Sequence, residues 1–176
     1  EALKKLLRCP VLVVSPALKT GLDIKIPQPS ILGADLICAS VAAKKHFPMP
    51  CIIVDLGTAT KIMALDQDGA FLGCSISPGI NISLEALSQI NLEQVTDVIG
   101  TNSIDSMKSG IVYGTASMID GMIERYSTIL GDKISVVATG GLSGVIVPHC
   151  KNHIKAEKDL VLKGLYYIYH MNIQKD

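Results

Sequence analysis

The 176-residue chain has no tryptophan, only two phenylalanines and an aromatic content of 4%, so its core must be built from aliphatic side chains. It carries no excess of charge: sixteen Lys and Arg balance sixteen Asp and Glu, and no basic run occurs. That excludes the electrostatic footprint by which nucleic acid is usually held. Apolar stretches reach strand length and fall short of the ~20 residues that a membrane-spanning helix needs. The five cysteines (Cys9, Cys38, Cys51, Cys74 and Cys150) are odd in number, dispersed and never in a C-x-x-C. They read as reduced thiols of a cytoplasmic protein and not as a disulfide framework. His46, His149, His153 and His170 lack metal-ligand spacing. No signal peptide is visible, and because the chain opens on Glu1 its true start is expected upstream.

Hydrophobic residues make up 48% of the chain, enough for one domain or one lobe of a larger enzyme. The elements alternate. Glu1–Leu7 reads as the end of a helix and Val11–Val14 as a short strand. After a turn-rich stretch with Gly21, Pro27 and Pro29, a helix is expected from Gly33-Ala34-Asp35 to His46, with Ala34, Ile37, Cys38, Val41 and Ala42 at helical spacing. Three strands follow at Ile52–Leu56, Lys61–Leu65 and Phe71–Ile76, the last two joined by the Asp66-Gln67-Asp68-Gly69 hairpin signal. Pro78-Gly79 opens a helix through Leu87.

In the second half, Ser103 is expected to cap a helix that runs to Leu130 and stops at Gly131. Gly110, Gly114 and Gly121 interrupt it at a cost of roughly 1 kcal/mol each in an exposed helix, so a close-packing reason is expected. A buried strand, Ile134–Ala138, ends in Thr139-Gly140-Gly141, and a short helix starts near Ser143. Leu160–Met171 closes the chain, with Tyr166, Tyr167 and Tyr169 as packing residues. Lys4-Lys5 and Lys44-Lys45 read as solvated helix faces, and Glu124 and Arg125 as members of surface pairs. This is a mixed α/β pattern.

The richest segment is Cys51-Ile52-Ile53-Val54-Asp55-Leu56-Gly57-Thr58-Ala59-Thr60. A buried strand delivers one carboxylate into a turn of small, hydroxylated residues. Gly57 lets a ligand approach the backbone, Thr58 and Thr60 offer hydroxyls, and Asp55 suits a Mg²⁺ held through water. A nucleotide phosphate fits this set. So does a tight hairpin in which Asp55 only accepts from turn amides. The Thr139-Gly140-Gly141 turn is open in the same way, between a ligand site and a strand-to-helix connection that needs a positive φ.

Five motifs in order resemble the type III pantothenate kinases: Gly33-Ala34-Asp35, Asp55-Leu56-Gly57-Thr58-Ala59-Thr60, Ser77-Pro78-Gly79 with Leu84-Glu85-Ala86-Leu87, Ser109-Gly110-Ile111-Val112-Tyr113-Gly114, and Ala138-Thr139-Gly140-Gly141. The stretch Asp159–Leu165 is similar to the closing helix of that family. The resemblance implies an actin-like ATPase (ribonuclease H-like) lobe, a mixed sheet flanked by helices, with residues 1–18 as the tail of a first lobe and 19–176 as the second. It implies ATP-dependent phosphorylation of pantothenate, with Mg²⁺ accompanying ATP, a monovalent cation such as K⁺ or NH₄⁺, and a cytoplasmic homodimer. By the same resemblance Asp55, Gly57, Thr58, Ala59 and Thr60 hold Mg·ATP phosphates, with Asp55 on the metal. Thr139, Gly140 and Gly141 line the adenosine, Gly33 and Ala34 line the substrate, and Asp35 is the proton acceptor. Read from the residues alone, without that resemblance, Asp35 is first a plain carboxylate in a helix's first turn.

Several positions depart from the family pattern. Its first phosphate hairpin, Asp-x-Gly-Asn-Thr, is not among these residues. Leu36 stands where many members have Arg, and Ile26-Pro27-Gln28 replaces Tyr-Asp-Asn. A Thr-bearing loop is missing after Gln89, and Lys61 replaces a common Thr. These departures leave a second reading open, a regulatory (transcriptional accessory) protein on the same fold.

Overall fold

Gly33 initiates the first helix, α1 (Ala34–His46), with Asp35 in its first turn and Lys44, Lys45 and His46 in its last, each sign at the end the helix dipole favours. Eight consecutive residues, Leu36 to Ala43, are buried, so this helix is covered on more than one side. The computed structural model describes Leu6 and residues 11–15, 18–87, 92 and 97–173. Most of the helix expected at Glu1–Leu7, and the segment directly after Gln89, lie outside the described residues.

Strand β1 (Cys51–Leu56) pairs antiparallel with β2 (Ala59–Leu65), which pairs antiparallel with β3 (Phe71–Pro78). The β2–β3 turn closes as its Asp-Gly signal implies: Asp66 Oδ1 accepts from the Asp68 amide at 3.0 Å and the Ala70 amide at 2.9 Å. Helix α2 (Ile80–Ala86) follows, then the long α3 (Ser103–Leu130), ended by Gly131. The cap of α3 is Asn102, one residue before the expected Ser103, and its Oδ1 accepts from the Asp105 amide at 3.0 Å. Strand β4 (Ser135–Thr139), the short helix α4 (Ser143–Ile146), β5 (Lys155–Ala156) and α5 (Leu160–Asn172) complete the order, with 3₁₀ turns at Pro29–Ile31 and Val147–His149.

The sheet runs β3-β2-β1-β4-β5, with β1–β4 and β4–β5 parallel. Strand alternation divides its side chains between two cores. Cys51, Ile53, Met63, Leu65 and Val137 pack under α1 and α5. Ile52, Val54, Leu56, Ile62, Val136 and Ala138 pack under α3, against Ile111, Val112, Ile119 and Ile123. Helices α1 and α5 meet backbone to backbone at Gly164, where a Cβ would fall 2.0 Å from the Cys38 carbonyl oxygen.

Two further expectations are corrected. Residues 11–15 form no strand; Val14 instead buries apolar surface against the α1-side core, and it is Ile24 that bridges to Phe71. Among the described residues Gly110 and Gly114 are not packed tightly, since a Cβ at either meets none of them within 4 Å, and of the three only Gly121 is close to a described neighbour, Arg125 Nη1 at 3.2 Å. Arg125 in turn donates to the Gly121 carbonyl, a bond within its own helix.

Candidate active site

Parallel pairing of β1 with β4 sets Asp55 beside Thr139 at the carboxyl ends of two central strands, where ligands of open α/β sheets gather. Antiparallel pairing sets Asp55 opposite Lys61. Both side chains, two and four residues from Ile53 and from Met63 and Leu65 in the alternation, share the sheet face that α1 covers, and α1 begins there with Asp35.

Lys61 Nζ donates to Asp35 Oδ2 at 2.5 Å and to Asp55 Oδ2 at 3.2 Å. The lysine and Asp55 side chains are 19% and 14% exposed, whereas Asp35 is 48% exposed and open to an incoming group. Partial burial alone would raise the Asp35 carboxyl. The hydrogen bond and charge of Lys61, with the Leu36 and Asp35 amides at the helix start, outweigh it and hold that carboxyl below its ordinary range. The Lys61 ammonium responds in the opposite sense: burial would lower it, but the two carboxylates raise it. Gly33 makes room for this arrangement, because a Cβ there would stand 2.6 Å from Asp35 Oδ1.

Two further turns pack on the Gly57-Thr58 turn. Gly140, at φ +93°, lies so close to Leu56 that a Cβ would fall 2.5 Å from its carbonyl carbon and oxygen. At Gly79 a Cβ would stand 2.0 Å from the Thr58 carbonyl oxygen. Gly33, Asp35, Asp55, Gly57, Thr58, Ala59, Gly140 and Gly141 therefore gather at one end of the sheet, with Thr58 and Gly141 exposed. Thr60 and Thr139 differ. They are 1% and 2% exposed; Thr139 Oγ1 donates to the Lys158 carbonyl at 3.3 Å, and Thr60 Oγ1 has no partner among the described residues. An apolar recess of about 220 Å³ under Leu72, Tyr126, Ile129 and Leu130 includes Ala64, at the other end of the β1–β2 pair from Asp55, and has no part in this cluster.

Lys61 is the residue that motif reading left without a role. A signal for it exists in the sequence: a short turn at Gly57-Thr58 between two strands fixes a register that faces residue 55 with residue 61. What the cluster can do chemically is keep one exposed carboxylate ionised at a helix start, with a second, shielded carboxylate beside a turn that exposes Thr58. That is the equipment for orienting a hydroxyl toward a phosphate.

The family model for type III pantothenate kinase matches residues 1–125, a span that includes both carboxylates and Lys61. A type III pantothenate kinase of Rubrobacter xylanophilus is 37% identical over 183 residues, covering 97% of this chain and 69% of its own. Among solved structures, a protein of Campylobacter jejuni assigned to the Baf family of transcriptional activators superposes with a TM-score of 0.62 at 23% identity, over 86% of this chain and 69% of that one. The activator of 2-hydroxyisocaproyl-CoA dehydratase from Clostridium difficile, solved with ADPNP, gives a TM-score of 0.51 at 14% identity, over 78% and 66%. These two likenesses concern the fold alone, a mixed sheet flanked by helices. With a family model running through the carboxylate cluster and more than a third of residues shared along nearly the whole chain, this protein belongs to the type III pantothenate kinase family.

Proposed function

We propose that this protein transfers the γ-phosphoryl group of ATP to the primary hydroxyl of pantothenate, giving 4′-phosphopantothenate and ADP, the first step toward coenzyme A. The observation that carries the reading is the pair of carboxylates, Asp35 at a helix start and Asp55 at a strand end, held on one ammonium beside the Gly57-Thr58 turn. The pantothenate hydroxyl oxygen bonds to the γ-phosphorus as the bond from that phosphorus to the β,γ-bridging oxygen breaks. Asp35 takes the hydroxyl proton, and ADP leaves with the electron pair of the broken bond. Gly33 and Ala34 border the acceptor side. Gly57, Thr58 and Ala59 face the phosphates, with Thr60 behind them in the strand, and Thr139, Gly140 and Gly141 form the adenosine side.

Mg²⁺ accompanies ATP in this reading. The described residues hold no group of three His, Cys, Asp or Glu arranged for a metal, so Asp55 is suited to a hydrated Mg²⁺ through water and not to a direct protein cage. Bound there, the ion neutralises phosphate charge. A free monovalent cation in contact with Asp55 Oδ2 fits poorly, because the Lys61 ammonium already stands 3.2 Å from that oxygen.

Residues 1–18 are taken as the tail of a first lobe and 19–176 as the second, in a cytoplasmic homodimer that engages neither nucleic acid nor membrane. The test is ADP release by the full-length protein with Mg·ATP, with and without pantothenate. Release that does not depend on pantothenate sinks the reading.

A further inference from the structure

We propose that the Lys61 ammonium is a tethered cation that takes the place of the free monovalent cation, holding Asp35 against Asp55 so that this enzyme needs no added K⁺ or NH₄⁺. The proposal rests on the reading of Asp35 and Asp55 as the two working carboxylates. Its basis is geometric: one nitrogen lies 2.5 Å from Asp35 Oδ2 and 3.2 Å from Asp55 Oδ2. Cross-strand pairing with Asp55 delivers that nitrogen from β2, and the side chain is only 19% exposed.

A lysine head group is an ammonium carrying one alkyl substituent, so it offers the donor chemistry of NH₄⁺ with three N–H groups. Two of these are taken by the carboxylates, which leaves the third for a phosphate oxygen or water. Because the stem is fixed on a paired strand, the charge is supplied without recruiting an ion from solution, and it sits in the same place in every turnover. Without the lysine, a shielded carboxylate and a half-exposed one would face each other with nothing between them, and only a diffusible cation could offset their repulsion. Lys61 is thus a positioning residue. It acts through Asp35 and Asp55, and its loss should create a cation requirement that the native protein lacks.

The experiment compares wild-type, Lys61→Thr and Lys61→Arg full-length proteins, each in choline chloride and in choline chloride supplemented with KCl or NH₄Cl. Pantothenate-dependent ADP release by the wild type should change less than about twofold between these salts. Lys61→Thr should lose about 10²-fold in choline and regain at least about tenfold with K⁺ or NH₄⁺. Lys61→Arg, which keeps a fixed cation, should remain indifferent to the salt. A readout separate from turnover is the line width of ²⁰⁵Tl⁺ in solution. K⁺-competable broadening should be absent from the wild type, present in Lys61→Thr and abolished again by adding Asp55→Asn. Circular dichroism melts establish that the variants fold, and Lys61→Arg carries the test if Lys61→Thr does not. The proposal is overturned by a wild type activated more than about tenfold by K⁺, by Asp55-dependent Tl⁺ binding to the wild type, or by a folded Lys61→Thr that binds no Tl⁺. A wild type without pantothenate-dependent turnover in any salt would remove the pantothenate reading, and the Tl⁺ experiment would still decide the role of Lys61.

Discussion

Asp35 and Lys61 are 26 positions apart in the chain, one in the first turn of a helix and the other near the start of a strand, and they meet through a 2.5 Å contact between Oδ2 and Nζ. The contact uses one carboxylate oxygen. The ammonium keeps this half-exposed group ionised, which suits the proton-accepting role proposed for it.

Replacing Asp35 with Asn should therefore slow the chemical step by roughly 10²–10⁴-fold while nucleotide affinity moves little. The contacts assigned to ATP lie on the Asp55 and Thr139 turns, which this change leaves in place. Turnover and ATP affinity measured on the same preparation check it, and near-native turnover would return Asp35 to a helix-start carboxylate.

Asp55→Asn should act on the other substrate. A residue that meets a hydrated ion through water typically contributes about 10–100-fold in metal affinity or activity. The loss should show as a higher Mg²⁺ requirement and lower turnover, with pantothenate affinity unaffected. Titrating Mg²⁺ at fixed ATP separates this from a folding defect.

Gly140→Ala and Gly141→Ala should differ sharply although the positions are adjacent. At Gly140 the positive φ and the 2.5 Å approach to Leu56 make any side chain strained, so stability should fall by about 1–3 kcal/mol or more. At Gly141 a Cβ meets none of the described residues within 4 Å, and stability should be nearly unchanged. Urea unfolding of both variants tests the contrast. Equal losses would mean that the turn does not depend on the contact with Leu56.

Asp120 should make the fold sensitive to acid. Its carboxylate accepts from the Lys151 amide at 2.8 Å, the Asn152 amide at 3.0 Å and Asn152 Nδ2 at 2.8 Å, tying α3 to the loop before β5. Partial burial would raise this carboxyl, but those bonds outweigh it and hold it below the ordinary value. A folded-state pKa depressed in this way contributes stability above the unfolded value, and that stability disappears as pH falls through the folded pKa. Asp120→Asn should cost about 1–2 kcal/mol at pH 7, with the gap to wild type closing below about pH 4. Urea midpoints across pH 3–7 measure it, and a gap that persists at low pH would refute the assignment to this carboxylate.

Much of the fold is legible in the residues because it depends on local rules. A continuous β-branched apolar run gives β1, Asp-Gly gives the turn after β2, helical spacing gives α1, and a glycine stop ends α3. The five motifs likewise mark the turns to which the proposed site is assigned. What the chain by itself could not decide are distances across the sheet. Whether a threonine hydroxyl faces a ligand depends on what packs over it, and Thr60 and Thr139 are covered. Whether a glycine is also required by a neighbouring turn depends on that turn's backbone, and Gly140 lies against Leu56. Lys61 shows the division most plainly. The sequence determines that it faces Asp55, because hairpin register follows from turn length. Only the docking of α1 on that face of the sheet brings Asp35 to the same nitrogen, since packing between elements far apart in the chain obeys shape and burial rather than spacing.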